Sequence, residues 1–405
     1  MFQNGLENLL KDKKRLDFLK TRRVGLLAHP ASVDKNLNHA LDLLIKSGVA
    51  ISAAFGPQHG IKGEKQDNMM ESEDFIDPHY HIPMFSLYGA AGRRLTPQML
   101  DSFDVLLIDL QDLGCRIYTF LTTLCYALED CAAAGKSVWV LDRPNPAGRM
   151  VEGLTLKPAF KSFVGVDEIP MRHGLTLGEF AQFYKNRHSL NVDLQIIKMR
   201  NYWALEAWPN RPWVNPSPNA ATLNMARVYG GTVFLEGTNL SEGRGTTRPL
   251  ECFGAPDLNI EKIFQTMKKI AKKSALIKWQ NAINGALWRQ CFFEPTFHKF
   301  SGKRCAGFFI HTDFADFNPQ HFSPWRAMAL FFKAVKICHP EFALFRDTSF
   351  VYEYERGKLA FDLICGSEIL REWLLDSTAT PLDLEPLLQT DESHWQNIQK
   401  EFLLY

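Results

Sequence analysis

Residues able to do chemistry concentrate in four short stretches of this chain. The first runs Phe55-Gly56-Pro57-Gln58-His59-Gly60-Ile61-Lys62-Gly63-Glu64-Lys65-Gln66-Asp67-Asn68-Met69-Met70-Glu71. Its glycines let backbone approach a ligand closely, and His59, Glu64, Asp67 and Glu71 are candidate proton-transfer groups. The same composition also suits a solvated surface loop. The second stretch is Asp109-Leu110-Gln111-Asp112-Leu113-Gly114-Cys115-Arg116-Ile117-Tyr118-Thr119. Asp109 has the position of a strand-end cap, which leaves Asp112 as the better candidate for a cleft. An Asp-x-x-Asp pair with one nearby His also permits a metal site, though the pattern is weak.

The third stretch, Asp142-Arg143-Pro144-Asn145-Pro146 with Glu152-Gly153 downstream, combines an acid, a guanidinium and an amide. Such a set suits recognition of hydroxyl, amide or carboxylate groups. It equally suits an internal Asp–Arg pair that braces a turn. The fourth is Pro216-Ser217-Pro218-Asn219 followed by Glu236-Gly237-Thr238-Asn239-Leu240-Ser241-Glu242-Gly243-Arg244-Gly245-Thr246. Its density of Gly and polar side chains is unusual for a passive linker.

The elements that must hold these stretches are legible from periodicity. Val24–His29, Val49–Phe55, Phe103–Leu110, Ser137–Asp142 and Val192–Met199 read as strands, and Asn36–Ser47 and Phe120–Ala134 as helices. A β-α-β rhythm predicts a parallel sheet with helices on both faces, and ligands bind beyond the carboxyl ends of such strands. The segments after Phe55, Ile108 and Leu141 all lie there. From about Pro256 the rhythm is lost. Leu258–Lys273 and Pro324–Ile337 read as helices, Cys305–His311 as a strand, and Ser367–Leu375 and Glu392–Phe402 as closing helices. The predicted fold class is α/β: a Rossmann-like parallel-sheet domain over residues 1–256 and a second, smaller α+β domain over 257–405.

Composition bounds the function. A chain of 405 residues exceeds a single ordinary core. The formal net charge of +1 leaves no global field to hold a polyanion, and the run Lys268-Lys269-Ile270-Ala271-Lys272-Lys273 reads as a solvated helix face. Nucleic acid is therefore not an expected partner. The eight cysteines are scattered without a C-x-x-C pair, which points to a reducing compartment. No apolar signal core precedes the charged segment Asn8–Lys20 and no stretch is apolar for ~20 residues, so a cytoplasmic location without a membrane span is expected. Gly89-Ala90-Ala91-Gly92 lacks dinucleotide-binding spacing, and no phosphate loop or G-x-S-x-G elbow is present.

Taken in order, these blocks resemble the NamZ family of exo-β-N-acetylmuramidases. The likeness rests on Gly56-Pro57-Gln58-His59-Gly60, Asp109–Gly114 with Arg116 and Tyr118, Asp142–Pro146, Glu152-Gly153, His173-Gly174, Pro216–Asn219, and Glu236–Asn239 through Glu242–Thr246. It covers roughly the first 255 residues. The resemblance implies a cleft between a Rossmann-like domain and an auxiliary domain. It further implies release of N-acetylmuramic acid from the non-reducing end of peptidoglycan fragments, without nucleotide, metal or other cofactor.

One departure stands out. The family's turn commonly reads Pro-Glu-His-Gly, whereas this chain has Gln58, and an amide can neither donate an acidic proton nor act as a carboxylate nucleophile. Glycoside hydrolysis usually needs two carboxyl groups. Glu64, Asp67, Glu71, Asp112, Glu236 and Glu242 can supply them. The catalytic candidates selected are Glu64, Glu71, Asp112, Glu242 and His59. The substrate-binding candidates are Gln58, Asn68, Arg116, Tyr118, Arg143, Asn145, Asn219, Asn239 and Arg244, with Arg143 or Arg244 expected on the lactyl carboxylate. Two other readings remain open: a muropeptide-binding or sensing protein without catalysis, motivated by Gln58, and a metal-dependent hydrolase using Asp109, Asp112 and His59.

Overall fold

The computed structural model describes residues 1–66, 69–89, 92–205 and 208–405. Twelve strands occur among the described residues: β1 Val24–Ala28, β2 Ile51–Gly56, β3 Phe75–Ile76, β4 Pro83–Ser86, β5 Val105–Asp109, β6 Ser137–Leu141, β7 Glu152–Thr155, β8 Pro170–Arg172, β9 Asp193–Ile197, β10 Cys252–Ala255, β11 Leu287–Phe293 and β12 Cys305–His311.

The aliphatic runs read as strands form one seven-stranded sheet in the order β3-β4-β2-β1-β5-β6-β9. Every pairing in it is parallel except the short edge pair β3–β4. Every residue of β1 and β5 is buried, as a parallel sheet covered on both faces requires. Strand order reverses between β1 and β5. The loops after β2, β5 and β6 therefore open on one edge of the sheet, where such folds place ligands. Helix Phe120–Ala133 begins directly after the second polar stretch and packs its apolar face into the main core.

The second region has a three-stranded antiparallel sheet, β10-β12-β11, and a set of helices around the buried helix Pro324–Cys338. One hydrophobic cluster runs from the parallel sheet through Phe234, Phe253 and Trp325 into this region, so the two parts share a continuous core. Helix Leu223–Thr232 packs on Pro324–Cys338. Glu152 at the start of β7 faces Arg326, which also pairs with Glu392 at 2.8 Å and Glu385 at 2.9 Å. The last helix, Pro381–Gln399, lies against β7, and Trp395 Nε1 donates to the His173 carbonyl at 2.8 Å. The basic run 268–273 projects Lys268, Lys269, Lys272 and Lys273 to solvent from helix Ile260–Ser274, while Ala271 is buried. No described helix is long and apolar enough to cross a membrane.

The elements the sequence hid are those without a clear apolar pattern. β7, β8 and β11 lack the aliphatic run of the main sheet, and Glu392–Phe402, expected as a separate helix, is the end of one helix that starts at Pro381 and closes in a 3-10 turn, 400–402. The charged segment Asn8–Lys20 is two helices, Gly5–Leu9 and Lys13–Leu19, each opened by its own side-chain cap, Asn4 and Asp12.

Candidate active site

A pocket lies where the carboxyl-end loops of the parallel sheet meet the second region. Gln58 and His59 reach it from the turn after β2. Ile117, Tyr118 and Thr119 come from the turn that starts helix Phe120–Ala133, and Ser217 and Asn219 from the loop before Leu223–Thr232. The far wall carries Tyr229, Glu236, Arg244, Tyr352 and Glu353.

The turn after β2 is tightly folded. A Cβ on Gly56 would sit 2.3 Å from the Ile61 backbone nitrogen, and His59 is in the left-handed region at φ 73°. Such backbone is held only where its surroundings enforce it. Here the His59 Nδ1–H donates to the Lys65 carbonyl at 2.7 Å. Gln58 is buried with both ends of its amide in use: its carbonyl accepts from the Thr119 hydroxyl at 2.7 Å, and its nitrogen donates to Glu353 Oε1 at 3.1 Å.

Among the described residues, two carboxyl groups line the pocket, and their surroundings differ. Glu236 Oε1 accepts from Arg244 Nη2 at 2.7 Å and its Oε2 from the Tyr352 hydroxyl at 2.7 Å, so it stands in an ion pair. Glu353 is held by neutral donors, Gln58 on Oε1 and Tyr88 on Oε2 at 2.7 Å. Burial pushes the Glu353 carboxyl above its ordinary pKa, although its hydrogen bonds from Tyr88 and Gln58 and the nearby Arg93 act against the rise. The backbone at Glu353 and Tyr354 is left-handed, at φ 46° and 69°. That turn aims Tyr352 and Glu353 at the two halves of the pocket.

Several expected site residues lie elsewhere. Glu64 and Glu71 are exposed and neither lines this pocket. Asp112 is buried beside it, its Oδ2 accepting from the Gly114 N–H, and burial raises its carboxyl to about 7. Glu242 sits behind the pocket wall with Lys299 Nζ at 2.9 Å, His298 Nδ1 at 3.2 Å and Arg244 Nε at 3.4 Å. Burial pushes its carboxyl up, but Lys299, His298 and Arg244 together override that and hold it well below the usual range. Glu242 does not itself line the pocket. Of the expected catalytic residues only His59 lines the pocket.

The binding candidates divide in the same way. Gln58, Tyr118, Asn219 and Arg244 line the pocket. Arg116 is buried and donates to the carbonyls of Leu154, Ile169, Ile364 and Cys365, clamping the two regions together. Arg143 forms a two-point pair with Asp109 and donates its remaining reach to the Val33 carbonyl. Asn145 bridges the Leu175 carbonyl and the Ala147 N–H, and Asn239 donates to the Ala343 and Phe345 carbonyls. None of these four lines the pocket that holds Gln58. Asp67 and Asn68 lie outside the described residues. Asp109 and Asp112 do not line the pocket that His59 faces, so the geometry does not assemble the metal-site reading.

A second depression opens near Arg143, Gln111, Trp208 and Arg211. Among the described residues its lining holds one carboxyl group, Asp34, whereas glycoside cleavage usually takes two.

A mostly parallel α/β domain joined to a smaller α+β region, with two buried carboxyl groups facing one pocket at their junction, has the layout of a glycoside-cleaving enzyme. The sequence matches the profile "Exo-beta-N-acetylmuramidase NamZ, N-terminal" over residues 24–224 and its C-terminal counterpart over 227–405. It is 33% identical over 410 residues to the peptidoglycan beta-N-acetylmuramidase NamZ of Bacillus subtilis (strain 168), covering 100% of this chain and 91% of that protein. The chain belongs to the NamZ family. A crystal structure of a DUF1343 family protein from Bacteroides fragilis NCTC 9343 matches with a TM-score of 0.80 at 26% identity, covering 100% of this chain and 99% of that one. A second protein of that family from the same organism matches in fold, with a TM-score of 0.74 at 23% identity, over 100% and 99% of the two chains.

Neither pocket carboxyl group was among the catalytic candidates chosen from sequence. Glu236 was among the available carboxyl groups, but of the two acids in that stretch the choice fell on Glu242, which does not line the pocket. Glu353 lies in Val351-Tyr352-Glu353-Tyr354, which has no glycine and no motif. Nothing local marks it. Only the fold brings it to Gln58, 295 positions earlier.

Proposed function

We propose that this protein is an exo-acting β-N-acetylmuramidase that releases N-acetylmuramic acid from the non-reducing end of peptidoglycan fragments. The observation that carries this reading is the pocket at the junction of the two regions, with Glu236 and Glu353 facing it in a chain of the NamZ family. Two carboxyl groups are what glycoside cleavage asks for. Gln58 does not argue for a protein that only binds, because its amide is tied to one of the two acids. Arg244 is the guanidinium that lines this pocket and is our candidate for the lactyl carboxylate, since Arg143 lines a different depression. The eight free thiols support a reducing compartment such as the cytoplasm.

Incubation of the pure protein with a disaccharide of N-acetylmuramic acid β-linked to N-acetylglucosamine tests the activity. Free N-acetylmuramic acid should appear stoichiometrically with the second sugar, while the matching N-acetylglucosaminide stays intact. Tight binding without turnover at any pH would sink the enzymatic reading.

A further inference from the structure

We propose that Glu353 is the general acid of this site and that Gln58 and Tyr88 are its positioning residues, with Glu236 as the partner carboxylate that carries negative charge in the pocket. The inference rests on the activity proposed above. It goes further in dividing the two acids by their surroundings.

The division follows from what each carboxyl touches. Glu236 is bridged to a guanidinium, which favours its charged form. Glu353 is 4% exposed and its side-chain donors are an amide and a phenol. Two acids whose environments pull them apart are how one pocket holds a proton donor beside a carboxylate. Gln58 links two groups: the Thr119 hydroxyl donates to its carbonyl, and its nitrogen donates to Glu353. Being neutral, Gln58 lets Glu353 change charge without a second carboxyl at the same spot to compete for the proton. The ionisable and charged groups that act on Glu353 are Tyr88, Arg93 and, across the pocket, Glu236. The Arg93 guanidinium lies over the rings of Tyr88 at 4.8 Å, Phe163 at 4.5 Å and Tyr354 at 4.2 Å, which fixes the Tyr88 side of the carboxyl.

The step balances without a co-reactant other than water. The Glu353 O–H breaks as its proton passes to the glycosidic oxygen. The C1–O bond cleaves with its electron pair staying on that oxygen, and the leaving sugar departs as an alcohol. The Glu236 carboxylate faces the developing positive charge at C1. In a retaining course a Glu236 oxygen bonds to C1 as the leaving group departs, and water, giving its proton to Glu353, then displaces that oxygen. In an inverting course water attacks C1 as the bond cleaves and gives its proton to Glu236, and exchange with solvent removes that proton and reprotonates Glu353. The sum is glycoside plus water to two hydroxyl compounds.

The test varies the leaving group. Wild type, Glu353→Gln, Tyr88→Phe and Gln58→Ala are assayed on the muramyl disaccharide and on 2,4-dinitrophenyl β-N-acetylmuramide, whose leaving group needs no proton. Glu353→Gln should lose about 10³-fold on the disaccharide but less than about 10-fold on the dinitrophenyl glycoside, and its alkaline limb in kcat/KM should vanish. Tyr88→Phe and Gln58→Ala each remove a hydrogen bond to the charged form. The Glu353 carboxyl then rises, and the alkaline limb should move to higher pH. These two variants keep the proposal testable if Glu353→Gln fails to fold. Equal loss on both substrates, or alkaline limbs that stay in place in Tyr88→Phe and Gln58→Ala, would overturn the assignment while leaving the activity standing. A wild type inert on both substrates would instead defeat the activity, and the assignment with it.

Discussion

Asp109 with Arg143 and Glu236 with Arg244 are the same chemical pair in two settings. In the first, the guanidinium grips both carboxylate oxygens, and Arg143 also reaches the Val33 carbonyl. In the second, Arg244 holds one oxygen of Glu236, Tyr352 holds the other, and both charged side chains line a pocket. Both pairs are buried and both come from motif-like stretches. The first braces the ends of β5 and β6, and of its two members only Arg143 lines a depression. In the second, the carboxyl group and the guanidinium line the same pocket. Density of polar residues therefore does not separate the two. What separates them is whether the acid as well as its cation faces a cavity.

The comparison predicts opposite phenotypes. Glu236→Gln should show the largest effect, a loss of about 10³-fold or more in turnover with the thermal midpoint little changed, read by steady-state kinetics beside thermal denaturation. A variant with near wild-type turnover would place the charged acid elsewhere. Arg143→Met should do the reverse. It leaves Asp109 buried without its cation, which costs about 3–5 kcal/mol of stability in urea unfolding, while turnover per folded molecule is kept. A lost substrate preference in a fully stable Arg143→Met would reopen the third stretch as a binding site.

Asp112 gives a pH test of the brace side. Its carboxyl rises from an ordinary value of 3.8 to about 7 through burial. The folded state thus holds a proton that the unfolded chain has lost between these values, so this group lowers stability as pH climbs from about 4 to 7. Asp112→Asn keeps an acceptor for the Gly114 N–H. It should be stabilised relative to wild type at pH 8, by at most about 4 kcal/mol, and gain little near pH 4. A difference independent of pH would show that Asp112 is charged in the folded state.

The smallest effect is one of selectivity. Arg244→Met should erode the preference for N-acetylmuramides over N-acetylglucosaminides by about 10-fold, a factor equal to ~1.4 kcal/mol, measured as the ratio of kcat/KM values. Unchanged discrimination would remove Arg244 from lactyl recognition.

Much of this protein is written locally. The aliphatic runs at Val24, Ile51, Val105 and Ser137 and the helical period from Phe120 specify a parallel sheet, because burial on both faces demands uninterrupted apolar strands. That pattern alone puts the turns holding Gln58 and Tyr118 at the sheet's carboxyl edge. The ordered motifs point to the family for the same reason, since each is a short stretch readable without its neighbours. What the sequence leaves open is direction and distance. Glu242 and Glu236 are six positions apart in one polar loop, yet one turns back onto Lys299 and His298 while the other lines the pocket. Arg143 and Arg244 are alike in sequence until the fold sets only the second in the pocket with Gln58 and Glu353. Glu353 acquires meaning only because the chain returns, nearly three hundred residues after Gln58, to set its carboxyl against that amide. Contacts of this range depend on how the second region packs on the sheet. No local propensity encodes them, and tertiary structure alone decides which of the chain's many acids share a pocket.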